Sequence, residues 1–270
     1  MSLGIDEVFD VSRKIIIGVV HLPPLPGAPL FRGEFDRVLD IAIREAKTLE
    51  RGGVDGIILE NFGDIPFRAV VRNPLTISAF SVIAREVARE VSIPIGINFL
   101  RNSAVEAASI AYISGAKFIR VNAYVETVAT DSGIIRPAAP RLIRFLRAYG
   151  IRLCILADIH VKHGKVIGIR NIADTVRDAV ERGLASAIII TGKRTGAPPN
   201  PKALKEAKST GTHVFIGSGL STENIDLLRY ADGAIIGTFF KKEGRIYNPI
   251  DENRVRRLVE LARKIHSVHS

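Results

Sequence analysis

The sequence contains one cysteine, one methionine and no glutamine. A single cysteine, Cys154, excludes an internal disulfide bond. Depletion of these labile side chains, in a chain rich in Ile and Arg, is typical of a protein from a thermophile. No apolar run approaches the roughly 20 residues that a membrane-spanning helix needs, and the first residues lack the basic start and apolar stretch of a secretory signal. We therefore expect a cytoplasmic protein without a transmembrane segment.

The net charge of +10 on 270 residues raises the question of a nucleic-acid partner. The basic residues are dispersed over predicted helices and mixed with acidic ones, and the chain has neither a basic tail nor a common nucleic-acid-binding motif. We therefore predict no nucleic-acid partner, and a basic surface that suits anionic small substrates. With 47% hydrophobic and 24% charged residues, the composition is that of an ordinary globular protein.

Eight short apolar runs, each followed by a segment of helical spacing, fill the chain. Their β-branched residues are continuous, which is typical of strands buried on both faces. The predicted strands are residues 15–21, 56–61, 94–98, 117–122, 152–158, 186–191, 213–217 and 233–237. The pattern predicts one α/β domain over residues 1–270, a single (β/α)8 TIM barrel, which is the usual architecture for this length. A doubly wound open sheet is the alternative.

Two glycine-containing turns follow the last two predicted strands, in VFIGSG and AIIGT. Glycine lets backbone N–H groups approach an anion closely, and in TIM barrels the loops after the last two strands commonly bind phosphate. We therefore predict a phosphate site, and the alternative is that these glycines only form tight turns. Its expected lining is Gly217, Ser218, Gly219, Gly237 and Thr238.

Catalytic residues in such barrels lie at the carboxyl ends of strands. Asp158 and His160 are two positions apart, so on a continuing strand both side chains point to the same side. They are predicted to act as an acid–base pair or to bind a divalent metal, with His21 and Glu60 as partners from other strands. Structural hydrogen bonding is the alternative for this cluster, and the sequence leaves the metal and any other cofactor undecided.

The remaining candidate residues are predicted to contact substrate, and they also lie at strand ends or in the loops that follow. Arg120 and Asn122 share parity on the fourth strand, and a buried Arg needs a carboxylate or a ligand anion, which Glu60, Asp158 or a substrate can supply. The other predicted substrate-binding residues are Asn98, Lys162, His163, Thr191 and Lys193.

Five segments of the sequence together resemble the BtpA family, a group that includes a cyanobacterial photosystem I biogenesis factor and the SgcQ-like bacterial proteins. The segments are HLPPLPGAP (21–29), ILEN (58–61), ADIHVKH (157–163), TGKRTGAPP (191–199) and ADGAIIGTFFKKEG (231–244). The resemblance spans nearly the whole chain. It implies a barrel like the ribulose-phosphate-binding ones, and it implies no established reaction.

These observations predict an enzyme that binds a phosphorylated small molecule, either a sugar phosphate or a nucleotide fragment. An isomerase, a lyase and an N-glycosidic hydrolase of the nucleosidase type can all use a phosphate anchor with a strand-end acid or base. The rival hypothesis is a non-catalytic assembly factor of the photosystem I biogenesis type. A homo-oligomer is compatible with either hypothesis.

Overall fold

The computed structural model describes residues 2–161, 163–168, 170–192 and 196–265. In this part of the chain eight parallel strands close into a barrel, and the predicted TIM barrel is therefore confirmed. In their order around the barrel, the strands are β1 (Ile15–His21), β2 (Gly56–Glu60), β3 (Ile95–Asn98), β4 (Phe118–Val121), β7 (Cys154–Ile159), β9 (Ala187–Ile190), β10 (Val214–Ile216) and β11 (Gly233–Ile236), which pairs with β1.

Each barrel strand alternates between two hydrophobic cores, because successive side chains point to opposite faces. On β1, Ile15, Ile17 and Val19 belong to the core inside the barrel. Ile16 and Val20 belong to the larger core between the barrel and its helices. Both faces of the strands are therefore buried, which explains why the strands read as continuous apolar runs.

Helices cover the outside of the barrel. Among them, α1 (Phe35–Arg51), α2 (Pro74–Glu90), α3 (Ala104–Ser114), α4 (Ala139–Ala148), α5 (Ile172–Arg177), α6 (Pro201–Lys208) and α7 (Glu252–Arg263) are α-helices, and a π-helical turn, Asp178–Arg182, extends α5. Of the helices in the described part of the chain, none has the length and hydropathy to cross a bilayer.

The segment between β10 and β11, which has the apolar spacing of a helix, forms a 3-10 helix, Thr222–Tyr230, with a break at Asn224. The Asn224 side chain explains the break, since it binds the preceding turn instead of following helical geometry. Its Oδ1 accepts a hydrogen bond from the Ser221 N–H at 2.8 Å, and its Nδ2 donates to the Gly219 carbonyl at 2.8 Å. This side chain therefore fixes one of the two glycine turns.

A small antiparallel sheet outside the barrel was not predicted from the sequence. It consists of β5 (Val128–Thr130), β6 (Gly133–Ile135) and β8 (Gly164–Val166), with β5 in the centre. Val128, Ile135 and Val161 form a small separate core with Ala123. The sheet connects the loop after β4 to the loop after β7, so it positions residues that follow both strands.

The amino end of the barrel is filled by the segment before β1. Ile5 and Phe9 belong to the inner core, and the Phe9 ring meets Phe118 at the start of β4 edge-on, with 5.2 Å between ring centroids. The apolar filling lies at this end, and the polar strand ends lie at the opposite, carboxyl end.

Candidate functional site

Four polar residues at the carboxyl ends of β1 to β4 lie side by side across the sheet. His21 is in register with Glu60, Glu60 with Asn98, and Asn98 with Arg120. Three of the four come two positions after a residue of the inner core, so their side chains point toward the barrel axis. The topology therefore builds one continuous polar row from residues that are up to 99 positions apart.

Glu60 is the centre of this row. Its Oε2 accepts a hydrogen bond from Asn98 Nδ2 at 2.5 Å, and its Oε1 lies 3.8 Å from His21 Nε2. The side chains of His21 and Glu60 each remain 10% exposed, and the His21 ring packs edge-on against Phe62. A carboxylate and an imidazole this close together, both reached by solvent, form a candidate acid–base pair.

Arg120 is buried against Asp158, which was one of its predicted partners. Asp158 Oδ1 accepts from Arg120 Nη2 at 3.0 Å, and Oδ2 accepts from Arg120 Nε at 3.0 Å and from Asn122 Nδ2 at 2.6 Å. Burial alone would lower the pKa of the Arg120 guanidinium, but Asp158 and Glu60 together raise it above its ordinary value. The Asp158 side chain has no exposed surface, so its charge is matched inside the protein.

A cavity of about 330 Å³ opens beside the polar row. It is lined by His21, Glu60 and Arg120, and also by the five residues predicted to form the phosphate site: Gly217, Ser218, Gly219, Gly237 and Thr238. This volume is at the small end of the range for ligand pockets. The structure thus brings the predicted glycine turns and the His21–Glu60 pair to one concave surface.

Close packing explains the small residues in the two turns. A Cβ atom on Gly237 would lie 2.4 Å from His21 Cε1, and a Cβ on Gly219, whose φ is +72°, would lie 2.2 Å from the Ala197 carbonyl carbon. The Ser218 hydroxyl accepts from the Gly192 N–H at 3.2 Å and donates to the Ala197 carbonyl at 3.1 Å. The Ser218 side chain therefore binds the loop after β9.

Arg254 of α7 is a cavity residue that the sequence analysis did not single out. Its Nε donates to the Phe239 carbonyl at 2.6 Å, and its guanidinium lies 4.4 Å from the centroid of the Phe239 ring. It lines the cavity beside both glycine turns. Arg254 is one of several arginines on this helix, and nothing in their spacing distinguishes it. Only the tertiary structure shows that it reaches the cavity.

The structure gives Asp158 and His160 different contacts: Asp158 binds Arg120 and Asn122, whereas His160 contacts Glu126, so the predicted pairing of these two side chains is not among the contacts of the described residues. The strand ends at Ile159, and His160 has a positive φ of +51°, which breaks the alternation that the prediction assumed. The backbone N–H of His160 donates to Glu126 Oε2 at 2.8 Å, and its Nε2 lies 3.3 Å from Glu126 Oε1. Burial raises the pKa of the Glu126 carboxyl.

His160 lines a second cavity of about 620 Å³, beside the loops after β7 and β9. Thr191 lies on this second cavity, and Pro198 lines both cavities. Glu126 was missed because it lies in a polar loop after β4 with no motif around it.

The other residues predicted to contact substrate do not lie together in one cluster. Asn98 and Asn122 are buried, and the Oδ1 of each has no hydrogen-bond partner within the described ranges. His163 is exposed in a turn before β8. Lys162 and Lys193 lie outside the described residues. Across residues 2–161, 163–168, 170–192 and 196–265, no three His, Cys, Asp or Glu side chains are grouped so as to hold a metal ion.

Comparison with known proteins gives the family. The model of the BtpA family matches residues 12–264. The chain belongs to the BtpA family. An uncharacterized protein of Pyrococcus furiosus is 46% identical over 96% of this chain and 98% of its own length. The photosystem I biogenesis protein BtpA of Synechocystis is 44% identical over 92% of this chain and 88% of its own length.

Solved structures similar to this BtpA family chain share its fold at low identity. The 7,8-dihydropteroate synthase of Vibrio fischeri is 12% identical, with a TM-score of 0.60 over 97% of this chain and 96% of that one. Phosphoribosyl anthranilate isomerase of Thermus thermophilus is also 12% identical, with a TM-score of 0.54 over 92% of this chain and 98% of that one. At this identity the likeness establishes the barrel architecture alone.

Proposed function

We propose that this BtpA family protein is an enzyme that binds a phosphorylated small molecule, a sugar phosphate or a nucleotide fragment, at the carboxyl end of its barrel. The observation that carries the proposal is the 330 Å³ cavity, which the two glycine turns share with His21, Glu60 and Arg120. An anion anchor next to a carboxylate–imidazole pair can position a phosphorylated substrate beside groups that transfer protons.

The phosphate end of the proposed site consists of the turns Gly217–Gly219 and Gly237–Thr238. Thr238 and Phe239 begin a 3-10 turn, and the first N–H groups of such a turn have no partner within it. Arg254 adds a guanidinium beside the same turns. Backbone N–H groups together with a planar guanidinium suit a phosphate oxyanion.

The chemical end of the proposed site consists of His21 and Glu60, which would exchange protons with the substrate. In this proposal Asp158 is a positioning residue, because its carboxylate holds Arg120 and Asn122 and has no surface of its own in the cavity. His160, with Glu126, would provide acid–base chemistry to a ligand that extends past Pro198. Isomerase, lyase and N-glycosidic hydrolase reactions all use these parts.

A thermal-shift screen of matched phosphorylated and unphosphorylated metabolites, with and without Mg²⁺, tests the proposal. We expect stabilisation by one class of phosphorylated compounds and none by their unphosphorylated counterparts, since only a ligand that binds the native state raises Tm. Compounds that stabilise the protein are then assayed for turnover with the wild type and with Glu60→Gln. Turnover that Glu60→Gln retains in full contradicts the proposed role of Glu60.

The rival is a non-catalytic assembly factor, and the 44% identity to a photosystem I biogenesis protein favours it. The two functions differ in what the polar cavity does. If no phosphorylated compound binds, and the Glu60→Gln protein still restores photosystem I in cyanobacterial cells that lack their own BtpA, the assembly role is supported. Loss of that restoration with Glu60→Gln supports a catalytic contribution.

A further inference from the structure

The cavity at the barrel mouth has opposite charges at its two ends. Among the described residues that line it, the charged side chains are Arg254 beside the glycine turns and Glu60 and Arg120 on the barrel floor, next to His21. Asp158 neutralises Arg120 through a bidentate ion pair. What remains is a positive charge at the outer end and the negative charge of Glu60 at the inner end.

The positive end is built for a ligand rather than for an internal ion pair. Within the described part of the chain, the Arg254 guanidinium lies within ion-pair distance of no carboxylate, and its Nε is held by the Phe239 carbonyl. Two other arginines of α7 are paired, Arg256 with Glu252 and Arg263 with Asp55. Arg254 is thus fixed in orientation by a carbonyl and an aromatic ring. Together with a hydrogen bond from Ser221, its charge helps to lower the pKa of the exposed Glu223 carboxyl without a direct ion pair, so the guanidinium can still bind an anion in the cavity.

The negative end accepts hydrogen bonds. Glu60 Oε2 accepts a hydrogen bond from Asn98, while the ion-pair partner of Oε1 among the described residues is the His21 ring at 3.8 Å. An ionised carboxylate is an acceptor only, so it can bind a hydroxyl or amino group of a ligand. A second carboxylate or phosphate on the ligand would place two like charges together on a poorly solvated floor, which disfavours binding.

We infer that the cavity binds a phosphate monoester whose far end carries neutral or cationic hydrogen-bond donors, and that it rejects ligands with an anion at both ends. Arg254 and the glycine turns hold the phosphate, and Glu60 selects the far end. The inference rests on the proposed function and narrows its substrate class to phosphorylated polyols, sugars or amino compounds. Bisphosphates and phosphorylated carboxylic acids are excluded.

The test compares ligands of equal length that differ only at the end remote from the phosphate. Two pairs are used, glycerol 3-phosphate with 3-phosphoglycerate, and sorbitol 6-phosphate with 6-phosphogluconate. Binding is measured by titration calorimetry at pH 8.5, where an ordinary imidazole is uncharged. We expect the polyol phosphate of at least one pair to bind about tenfold or more tightly than its carboxylate counterpart.

Three variants identify the residues responsible. Glu60→Gln removes the negative charge and should bring the two members of the pair to within about threefold of each other, because the like-charge repulsion is gone. Arg254→Met should weaken both members by about tenfold or more, the usual effect of losing a hydrogen bond to a charged group. Arg257→Met is the matched control, since Arg257 is an exposed arginine on the same helix, and it should leave both affinities unchanged.

The outcomes separate this inference from the proposed function. If neither ligand pair, nor inorganic phosphate, nor any phosphorylated compound of the thermal-shift screen binds the wild type, both are overturned. If phosphorylated ligands bind but the carboxylates bind as well as the polyols, the proposed function stands and the inference is wrong. Discrimination that survives Glu60→Gln, or phosphate affinity that Arg254→Met leaves unchanged while Arg257→Met behaves as wild type, also overturns it.

Discussion

For Asp158, the sequence predicts the inward-facing position at the end of a strand, but it does not decide which side chains contact it. Its place at the end of a barrel strand indicates a functional role, and its side chain does point inward. It nevertheless meets Arg120 and Asn122 from β4 and the loop that follows, and not His160. Strand alternation holds only while the backbone stays extended, and the positive φ of His160 ends it two residues later.

Replacing Asp158 by Asn should destabilise the protein, because the Arg120 guanidinium would keep its charge without a carboxylate. Breaking a buried ion pair from one side typically costs about 3–5 kcal/mol. Urea unfolding of the variant measures the loss. Asp226→Asn is the control, since Asp226 pairs with Arg229 at an exposed position and should change stability by less than about 1 kcal/mol. Unchanged stability of Asp158→Asn, with ligand binding abolished, would instead make this carboxylate a direct ligand contact.

Asp64 is a buried carboxylate that supports the Pro-rich loop after β1. Its Oδ1 accepts from the Leu25 N–H at 2.8 Å and its Oδ2 accepts from Asn61 Nδ2 at 2.9 Å. Burial raises the pKa of the Asp64 carboxyl above its ordinary value of 3.8, and these hydrogen bonds offset part of the rise. The folded state therefore binds this proton more tightly than the unfolded state does.

The raised pKa of Asp64 makes the free energy of unfolding depend on pH in a defined direction. The contribution of Asp64 to stability should be fully present below pH 3.8 and should be lost as the pH rises through the folded-state pKa. The Asp64→Asn variant has no titratable group at this position. The free energy of unfolding of the wild type should therefore fall relative to that of the variant as the pH rises from 3.5 to 7. Each unit of pKa shift corresponds to about 1.4 kcal/mol. A difference that is flat with pH, or that moves toward the wild type, contradicts this interpretation.

At the scale of elements, the strands were predictable and several of the turns were not. Barrel strands are buried on both faces, so each one is a continuous apolar, Ile-rich run that can be recognised in the sequence. The sheet of β5, β6 and β8 was missed because strands of three residues have no measurable alternation. The Thr222–Tyr230 segment has helical spacing, but the Asn224 side chain binds the turn before it, and spacing does not encode that choice.

The turn after β10 depends on close approach between two loops. Gly219 and Gly211 both have positive φ, but a Cβ on Gly219 would meet the backbone of Ala197 and Pro198, whereas a Cβ on Gly211 would meet nothing within 4 Å. Gly211→Ala should therefore lose only the conformational term, about 1–2 kcal/mol. Gly219→Ala should lose at least about 1 kcal/mol more, because the loop must also move. Equal losses in thermal unfolding would show that the two loops are not in tight contact.

At the scale of the whole molecule, the barrel explains which parts of the site could be predicted from the sequence. The fold implies that strand ends converge, and this was enough to place His21 and Glu60 beside the two glycine turns. It was not enough to identify Arg254 or Glu126. Arg254 lies on a helix among similar arginines, and Glu126 lies in a loop whose path depends on the small sheet. Such residues reach a site through tertiary packing that neither motif nor periodicity records.

The central claim is that the barrel mouth binds a phosphate group between the two glycine turns and Arg254. A crystal structure of the protein with sorbitol 6-phosphate tests it most directly. We predict that the phosphate lies within hydrogen-bond distance of the backbone N–H groups of Gly219 and Thr238 and of the Arg254 guanidinium, with the polyol directed toward Glu60. A phosphate bound elsewhere on the protein, with this cavity empty, would contradict the account.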